Sequence, residues 1–333
     1  MDLSAAIEAA SAADRAPRRS DLYRRLKEQG LSALPRPPRW WRPAEFRRPV
    51  CGLGWEDSSY PEGLRRLAEP PPVLFVRGGA SDLPKPRAAV AIVGSRRASE
   101  TGLRVAYDLA RGLAQEGVAV LSGLALGVDS AAHRGCLDGG GRTLAVLASP
   151  VDQPTPLRHV ALAEGILSQG GWLVSERPPG ATVRAHEFPR RNRIIAALAG
   201  LVVVVEAGLR SGTLSTVEHA LRLGVEVAAV PGPIDRPGCR GSNALLRRGA
   251  QWVESVGDLL EHLGRSPVAT EADPRLDEDE RAVLAGLPEG AGAPGHWCAA
   301  SSLPPERARS ALARLVSKGV LRQLGCGRVA RVL

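Results

Sequence analysis

The stretch FPRRNR at residues 188–193 sets one aromatic ring, Phe188, beside three guanidinium groups, Arg190, Arg191 and Arg193, with Asn192 among them. That composition suits a surface for single-stranded nucleic acid: a ring stacks on a base of any identity while arginines neutralise phosphates. The plainer reading is a solvated basic turn with Phe188 tucked into the core. A second chemistry lies in three short turns rich in glycine and hydroxyl groups: Gly94-Ser95-Arg96-Arg97, Ser122-Gly123 and Gly208-Leu209-Arg210-Ser211-Gly212-Thr213. Glycine lets a backbone N–H approach an oxygen closely, serine and threonine add hydroxyl donors, and a following helix presents its positive end. Arg96, Arg97 and Arg210 add charge. A lone turn of this kind is no more than a place where glycine permits positive φ.

Candidates for turnover are thinner. Asp129 and His133 stand at i and i+4, so they share a helix face and can pair. The spacing allows an acid–base dyad, but a helix-start aspartate with a supporting histidine is the favoured reading. Asp152, Glu176, Glu206 and Asp235 fall near expected strand ends, where they orient loops or arginines as readily as act as general bases. Neither HExxH nor GxSxG occurs. The first turn, GSRRASETG, is not the spaced GxGxxG of dinucleotide folds, and GxxxxGK[ST] is absent, so neither an NAD nor an ATP site is expected. The five cysteines, Cys51, Cys136, Cys239, Cys298 and Cys326, have no CxxC spacing, which argues against structural zinc or a disulfide framework and for a reducing cytosol. No catalytic residue, metal or cofactor is expected.

The 333 residues carry 44 Lys+Arg against 35 Asp+Glu, a formal net charge of +9 that favours a polyanionic partner such as nucleic acid or a membrane surface. Only Lys27, Lys85 and Lys318 are lysines. A GC-rich genome would explain that bias but not the excess of positive charge. No apolar stretch approaches the ~20 residues that span a bilayer, and the N-terminus lacks a signal-peptide pattern. A soluble cytoplasmic protein without a membrane partner is the expectation.

The turns need elements to position them. Strands are expected at Val73 to Val76, Ala89 to Val93, Val118 to Leu121, Thr143 to Leu147, Trp172 to Ser175, Leu201 to Glu206 and Glu226 to Val230. Amphipathic stretches of helical length lie between, including Leu103 to Gln115 and Leu157 to Ser168. Apolar strands alternating with helices specify an α/β fold, a Rossmann-like parallel sheet with helices on both faces. All strands then end on one edge, so the three turns can converge there. That convergence raises an anion site above the glycine-turn reading. Residues 1–48 form a poorly patterned N-terminal segment with one short helix at Asp21 to Gln29. Residues 49–265 form the Rossmann-like domain and 266–275 a linker. Residues 276–333 form a small C-terminal domain: a helix at Glu278 to Ala285, a strong helix at Pro304 to Lys318, and two short strands around Gly325 to Gly327. That is the layout of a winged helix.

These residues resemble the DNA-processing protein A (DprA, also called Smf) family. The match runs in order through YPEGLRRLAEPPPVLFVRG (60–78), AIVGSRRAS (91–99), SGLALGVDSAAHRGCL (122–137), SERPPG (175–180), FPRRNRIIAALA (188–199), VVEAGLRSGTLST (204–216) and VPGPIDRPGCRGSNALLRRGA (230–250). The resemblance implies an extended Rossmann-like domain that binds single-stranded DNA, forms a homodimer and loads the RecA recombinase onto incoming strands during natural transformation. Carried over by position, the DNA pocket would include Gly94, Ser95 and Arg96, with Arg97 beside them. It would also use Phe188, Arg190, Arg191 and Arg193, with Asn192 fixing the loop. Ser122, Gly123, Gly208, Ser211, Gly212 and Thr213 would line the floor, with Arg210 at its edge. Two features depart from the family pattern. VLASPVDQPTP stands where a Gly-rich VLGxGxDxxYP is common, with Ala148, Pro150 and Thr155 altered. The N-terminal helical module is not recognisable in residues 1–48.

An enzyme is the rival. GLRSGTLST resembles the PGGxGTxxE loop of the lysine-decarboxylase-like phosphoribohydrolases, nucleotide hydrolases that cleave an N-glycosidic bond. Thr216 stands where that motif carries its glutamate, and Glu218 is two positions too late, about half a helical turn away. The missing glutamate favours binding over turnover.

Overall fold

The computed structural model describes residues 50–79, 83–183, 186–265, 276–285, 295, 301–318, 320–323 and 329–331. The expectations for residues 1–48, for the linker at 266–275 and for the turn at Gly325 to Gly327 lie outside the described residues. The chain divides into two compact units, one ending at Ser266 and one beginning at Pro267.

The first unit is built on nine strands: β1 (Val50–Gly54), β2 (Val73–Gly78), β3 (Ala89–Val93), β4 (Ala119–Ser122), β5 (Thr143–Leu147), β6 (Trp172–Ser175), β7 (Leu201–Val204), β8 (Glu226–Ala229) and β9 (Gln251–Trp252). Their order across the sheet is β1-β2-β6-β5-β4-β3-β7-β8-β9. From β6 to β9 all neighbours are parallel, while β2 joins β6 and β1 joins β2 in antiparallel register. The expected parallel sheet is thus present from β3 to β8, and two antiparallel strands extend it at one edge. β1, whose VCGLG carries two glycines and alternates in exposure, and the two-residue β9 gave no strand signal in the sequence.

The helices are α1 (Glu62–Arg65), α2 (Glu100–Gln115), α3 (Val128–Asp138), α4 (Val160–Ser168), α5 (Glu187–Leu198), α6 (Thr213–Leu223), α7 (Arg240–Arg247) and α8 (Val256–His262). They cover both faces. Ala89, Ala91 and Val93 of β3 pack with Ile194 and Ile195 of α5 and Val217 and Ala220 of α6. Val90 and Ile92 point the other way, onto Leu109 and Leu113 of α2 and Val128 and Ala132 of α3. The four residues of β7 are wholly buried, which is why its sequence LVVV reads as a continuous apolar run rather than an alternation.

The strand order reverses at β3. The chain moves outward from β3 through β4, β5 and β6, then returns to lay β7 on β3's free side. Such a reversal leaves a crevice outside the carboxyl ends of the two strands, because their following loops diverge to opposite faces.

The second unit contains α9 (Glu278–Ala285), α10 (Pro305–Ser317) and an antiparallel pair, β10 (Leu321–Gln323) with β11 (Val329–Arg331). Val283, Ala308, Ala311, Leu315, Leu321 and Val329 form its own core. Glu280 is buried there with its carboxylate bound by Lys318 at 2.7 Å and Arg314 at 3.3 Å. Among the described residues, no helix is long and apolar enough to cross a membrane.

Candidate nucleic-acid interface

The crevice between the ends of β3 and β7 holds a cleft of about 480 Å³. The two loops are laced together. Val205 N donates to Val93 O at 3.1 Å, and Ser95 N donates to Glu206 O at 2.7 Å. The Glu206 side chain then accepts from Ser99 N at 3.1 Å and Ser99 Oγ at 2.8 Å, and Ser99 Oγ itself accepts from Gly102 N to cap α2. The positive end of α2 is therefore already served by the protein's own carboxylate. A second built-in anion serves the turn after β4: Asp129 Oδ2 accepts from Gly123 N at 3.1 Å and Ala125 N at 3.3 Å. These two expected cradles thus spend donors internally, and so does the third. The third, at the start of α6, is organised by Ser211, whose Oγ donates to Thr213 Oγ1 and accepts from Thr213 N.

Arg191 forms the floor. It is buried, and its Nη1 donates to Gly123 O at 2.6 Å and to Val146 O. A Cβ on Gly123 would overlap this guanidinium, so a side chain there would displace it from its carbonyls. Burial lowers the Arg191 pKa to about 10, against the opposing pull of Asp129, which leaves it a cation at neutral pH. Burial likewise pushes the Asp129 carboxyl up, with Arg191 the first of the groups that hold it down. Asn192 donates through Nδ2 to Gly212 O at 3.3 Å and Ser215 Oγ at 2.8 Å, tying α5 to the start of α6.

The mouth is different in kind. Arg96 and Arg97 are exposed, and the Arg96 guanidinium stands 5.5 Å from the centroid of the half-buried Phe188 ring, a cation–π distance. Among the described residues neither arginine has a carboxylate partner. Two exposed cations, one of them over a ring, above a buried cation can hold a phosphate and a stacked base together.

Gly94, Ser95, Arg96, Arg97, Phe188, Arg191, Asn192, Ser211, Gly212 and Thr213 all line this one cleft. The other expected residues do not. Ser122 is fully buried and its hydroxyl donates to Ile92 O at 2.6 Å, so it holds strand β4 to β3. Gly123 has both backbone groups engaged, its N by Asp129 and its O by Arg191. Gly208 lies behind the Ser211 turn, accepting from Ser211 N, and Arg210 is exposed outside the lining.

Arg190 and Arg193 lie away from this cleft. FPRRNR is helical, and 3.6 residues per turn place Phe188, Arg191, Asn192 and Ile195 on one face and Arg190 and Arg193 on another. The latter two pair with Glu176 at 3.3 and 2.6 Å and border a separate cleft with Arg66, His219 and Arg222.

Asp129 and His133 do not pair. His133 Nδ1 lies 2.7 Å from Thr143 Oγ1, whose hydroxyl donates to Val120 O at 2.6 Å, so Nδ1 must carry the proton. Burial, followed by His159 and Arg191, lowers the His133 pKa to about 3. It is a neutral structural histidine. Ala125, Pro189, Ile195 and Thr216 also line the cleft and were not singled out as binding residues from the sequence. Thr216 sits three residues after Thr213 on α6, a helical spacing that would have found it. Glu218 is exposed and borders a different groove, with Leu221 and Leu245.

The first unit is thus a doubly wound α/β domain with a cationic, aromatic-rimmed cleft at its switch point. Residues 52–264 match the family model of DNA recombination-mediator protein A, and the chain belongs to that family. It is 44% identical over 265 residues to a putative DNA processing protein DprA of Mycobacterium tuberculosis, covering 77% of this chain and 68% of the relative. The protein Smf of Escherichia coli is also 44% identical, over 208 residues, covering 62% and 55%. Among solved structures, DNA processing protein A of Streptococcus pneumoniae matches with a TM-score of 0.60 at 32% identity, over 76% of this chain and 86% of that one. DNA processing protein A of Helicobacter pylori, described for its single-stranded DNA binding mode, matches with a TM-score of 0.56 at 27% identity, over 67% and 98%.

Proposed function

We propose that this protein is a non-enzymatic recombination mediator that holds single-stranded DNA in the cleft at the β3–β7 switch point. The Arg96 guanidinium over the Phe188 ring, above the buried Arg191, is the observation that carries the reading. Phosphates meet Arg96 and Arg97 and the hydroxyl-lined start of α6, and a base stacks at Phe188. No base edge need be read, so capture is independent of sequence and sensitive to salt. The Helicobacter pylori relative, described for single-stranded DNA binding, supports the same chemistry here. Protection of incoming strands, loading of RecA during natural transformation and a cytoplasmic location rest on the family resemblance.

A homodimer belongs to the same reading. Leu209 and Leu221 expose apolar surface in the groove between α6, α7 and the β8–β9 edge, a surface suited to a second copy of this chain. The C-terminal unit we take as a winged helix with α10 as its recognition helix.

Nucleotide hydrolysis is disfavoured by the cleft's own chemistry. Its lining carboxylate, Asp129, already accepts two backbone N–H groups, and Thr216 occupies the position where the rival motif has its glutamate. Fluorescence anisotropy with labelled oligonucleotides tests the proposal. Binding of single strands of unrelated sequence with similar affinity, and weaker binding of duplex, is expected. Release of free base from nucleoside monophosphates, or no affinity for single strands, would overturn it. Comparing the full chain with one ended near residue 265 reports whether the C-terminal unit contributes.

A further inference from the structure

A groove of about 430 Å³ runs between α2 and α3 and shares Arg96 with the first cleft. Its walls carry Arg104 and Tyr107 from α2 and Arg134 from α3, while Gly127, Ser130 and Ala131 keep its floor low. Three guanidinium groups and no carboxylate line it. The nearby acid Asp138 is withdrawn, accepting the Tyr107 hydroxyl at 2.7 Å and holding that ring in place. Ser130 Oγ donates back to Gly127 O at 3.0 Å. Arg104 and Arg134 are exposed, and among the described residues neither has a carboxylate partner. Like charges gathered on two packed helices repel one another and contribute nothing to folding, whereas a polyanion relieves the repulsion.

We propose that the single strand leaves the first cleft past Arg96 and continues along the α2–α3 groove, where Arg104 and Arg134 take its phosphates and the Tyr107 ring offers a stacking face. A polymer fits better than a free nucleotide because one residue, Arg96, borders both clefts, so an occupant of the first is led directly into the second. This inference rests on the first cleft being a strand-binding site and extends that site by a second segment.

The test is the length dependence of binding. Oligothymidylates of about 6 to about 30 nucleotides, spanning typical site sizes, are titrated against the wild-type chain and an Arg104→Gln/Arg134→Gln variant. Both positions are exposed, and matching thermal unfolding midpoints confirm an intact fold. For the longest strand the variant is expected to bind about tenfold more weakly. Its slope of log affinity against log salt should be shallower by about 1.4, the value for two lost phosphate contacts on a single strand. For the shortest strand that wild type binds measurably, affinity should be unchanged. Equal affinity at every length would overturn the inference, and so would an equal loss at every length, which would place both arginines in the first cleft. Failure of the wild-type chain to bind any single strand would instead overturn the reading of the first cleft.

Discussion

Arg96 and Arg191 line the same cleft but have different jobs, and burial separates them. Arg96 is exposed and, among the described residues, stands over a ring with no carboxylate partner, so Arg96→Ala should leave the thermal midpoint unchanged while weakening single-strand binding about tenfold for every sequence, as a gel-shift titration would read. Arg191 is buried, bound to two carbonyls and under the influence of the Asp129 charge. Arg191→Ala removes the donor that both carbonyls accept from, so about 1–3 kcal/mol of stability should be lost in denaturant unfolding before binding is considered. His133 makes a pH prediction of definite sign. Its pKa of about 3 in the fold lies below the ordinary 6.5, so the unfolded chain takes the proton first. The stability it contributes is full above about pH 6.5 and lost as pH falls toward 3. The unfolding midpoint should drop across that window, and His133→Leu should flatten the drop. Asp129, whose carboxyl is raised, acts with the opposite sign at the acid end, and the comparison with the variant isolates the histidine. Residue types and spacing made legible that Arg96 and Arg191 would border one cleft. Which guanidinium is buried was not, because burial depends on what packs from β4 and β5.

At the scale of elements, α5 governs how much of the site could be read. Treated as a basic turn, FPRRNR puts all three arginines in one place; as a helix it divides them between two faces. The signal was available in the run IIAAL that follows, whose apolar side chains continue the helix into the core. Glu176 tests the division. It binds both Arg190 and Arg193, whose side chains are largely buried, so Glu176→Ala should lower the unfolding midpoint by leaving two guanidinium groups without their shared counter-ion. The folded variant should still bind single strands with wild-type affinity, since the pair faces away from Phe188. A large loss of affinity with an unchanged midpoint would return Arg190 and Arg193 to the first cleft. The sheet itself was legible wherever strands are buried on both faces, as in β3, β5 and β7. It was not legible at the edges, where β1 is half exposed and β9 is two residues long, because an edge strand owes its existence to its neighbour's free hydrogen bonds rather than to its own apolar pattern.

For the molecule as a whole, the excess of nine positive charges favours a polyanion, while the apolar groove between α6, α7 and the β8–β9 edge favours a second chain. The two surfaces are distinct, since Leu209 and Leu221 lie among the groove's exposed apolar side chains and outside the lining of the cleft. A self-complementary contact of this kind should respond to one charge placed at its centre, because each substitution appears twice in a symmetric interface. Leu221→Glu is the direct choice. Leu221 is 65% exposed, so the substitution costs the folded subunit little, yet it buries two carboxylates face to face if the groove is the dimer seam. Sedimentation equilibrium should then show wild type as a dimer and the variant as a monomer with an unchanged unfolding midpoint at low concentration. Short oligonucleotides should bind both alike, because the switch-point cleft is completed within one subunit. Long oligonucleotides should bind the monomer more weakly, since two linked clefts raise the effective concentration of the second contact. A variant that remains a dimer would remove the groove from the interface, and a monomeric wild type would remove the dimer itself.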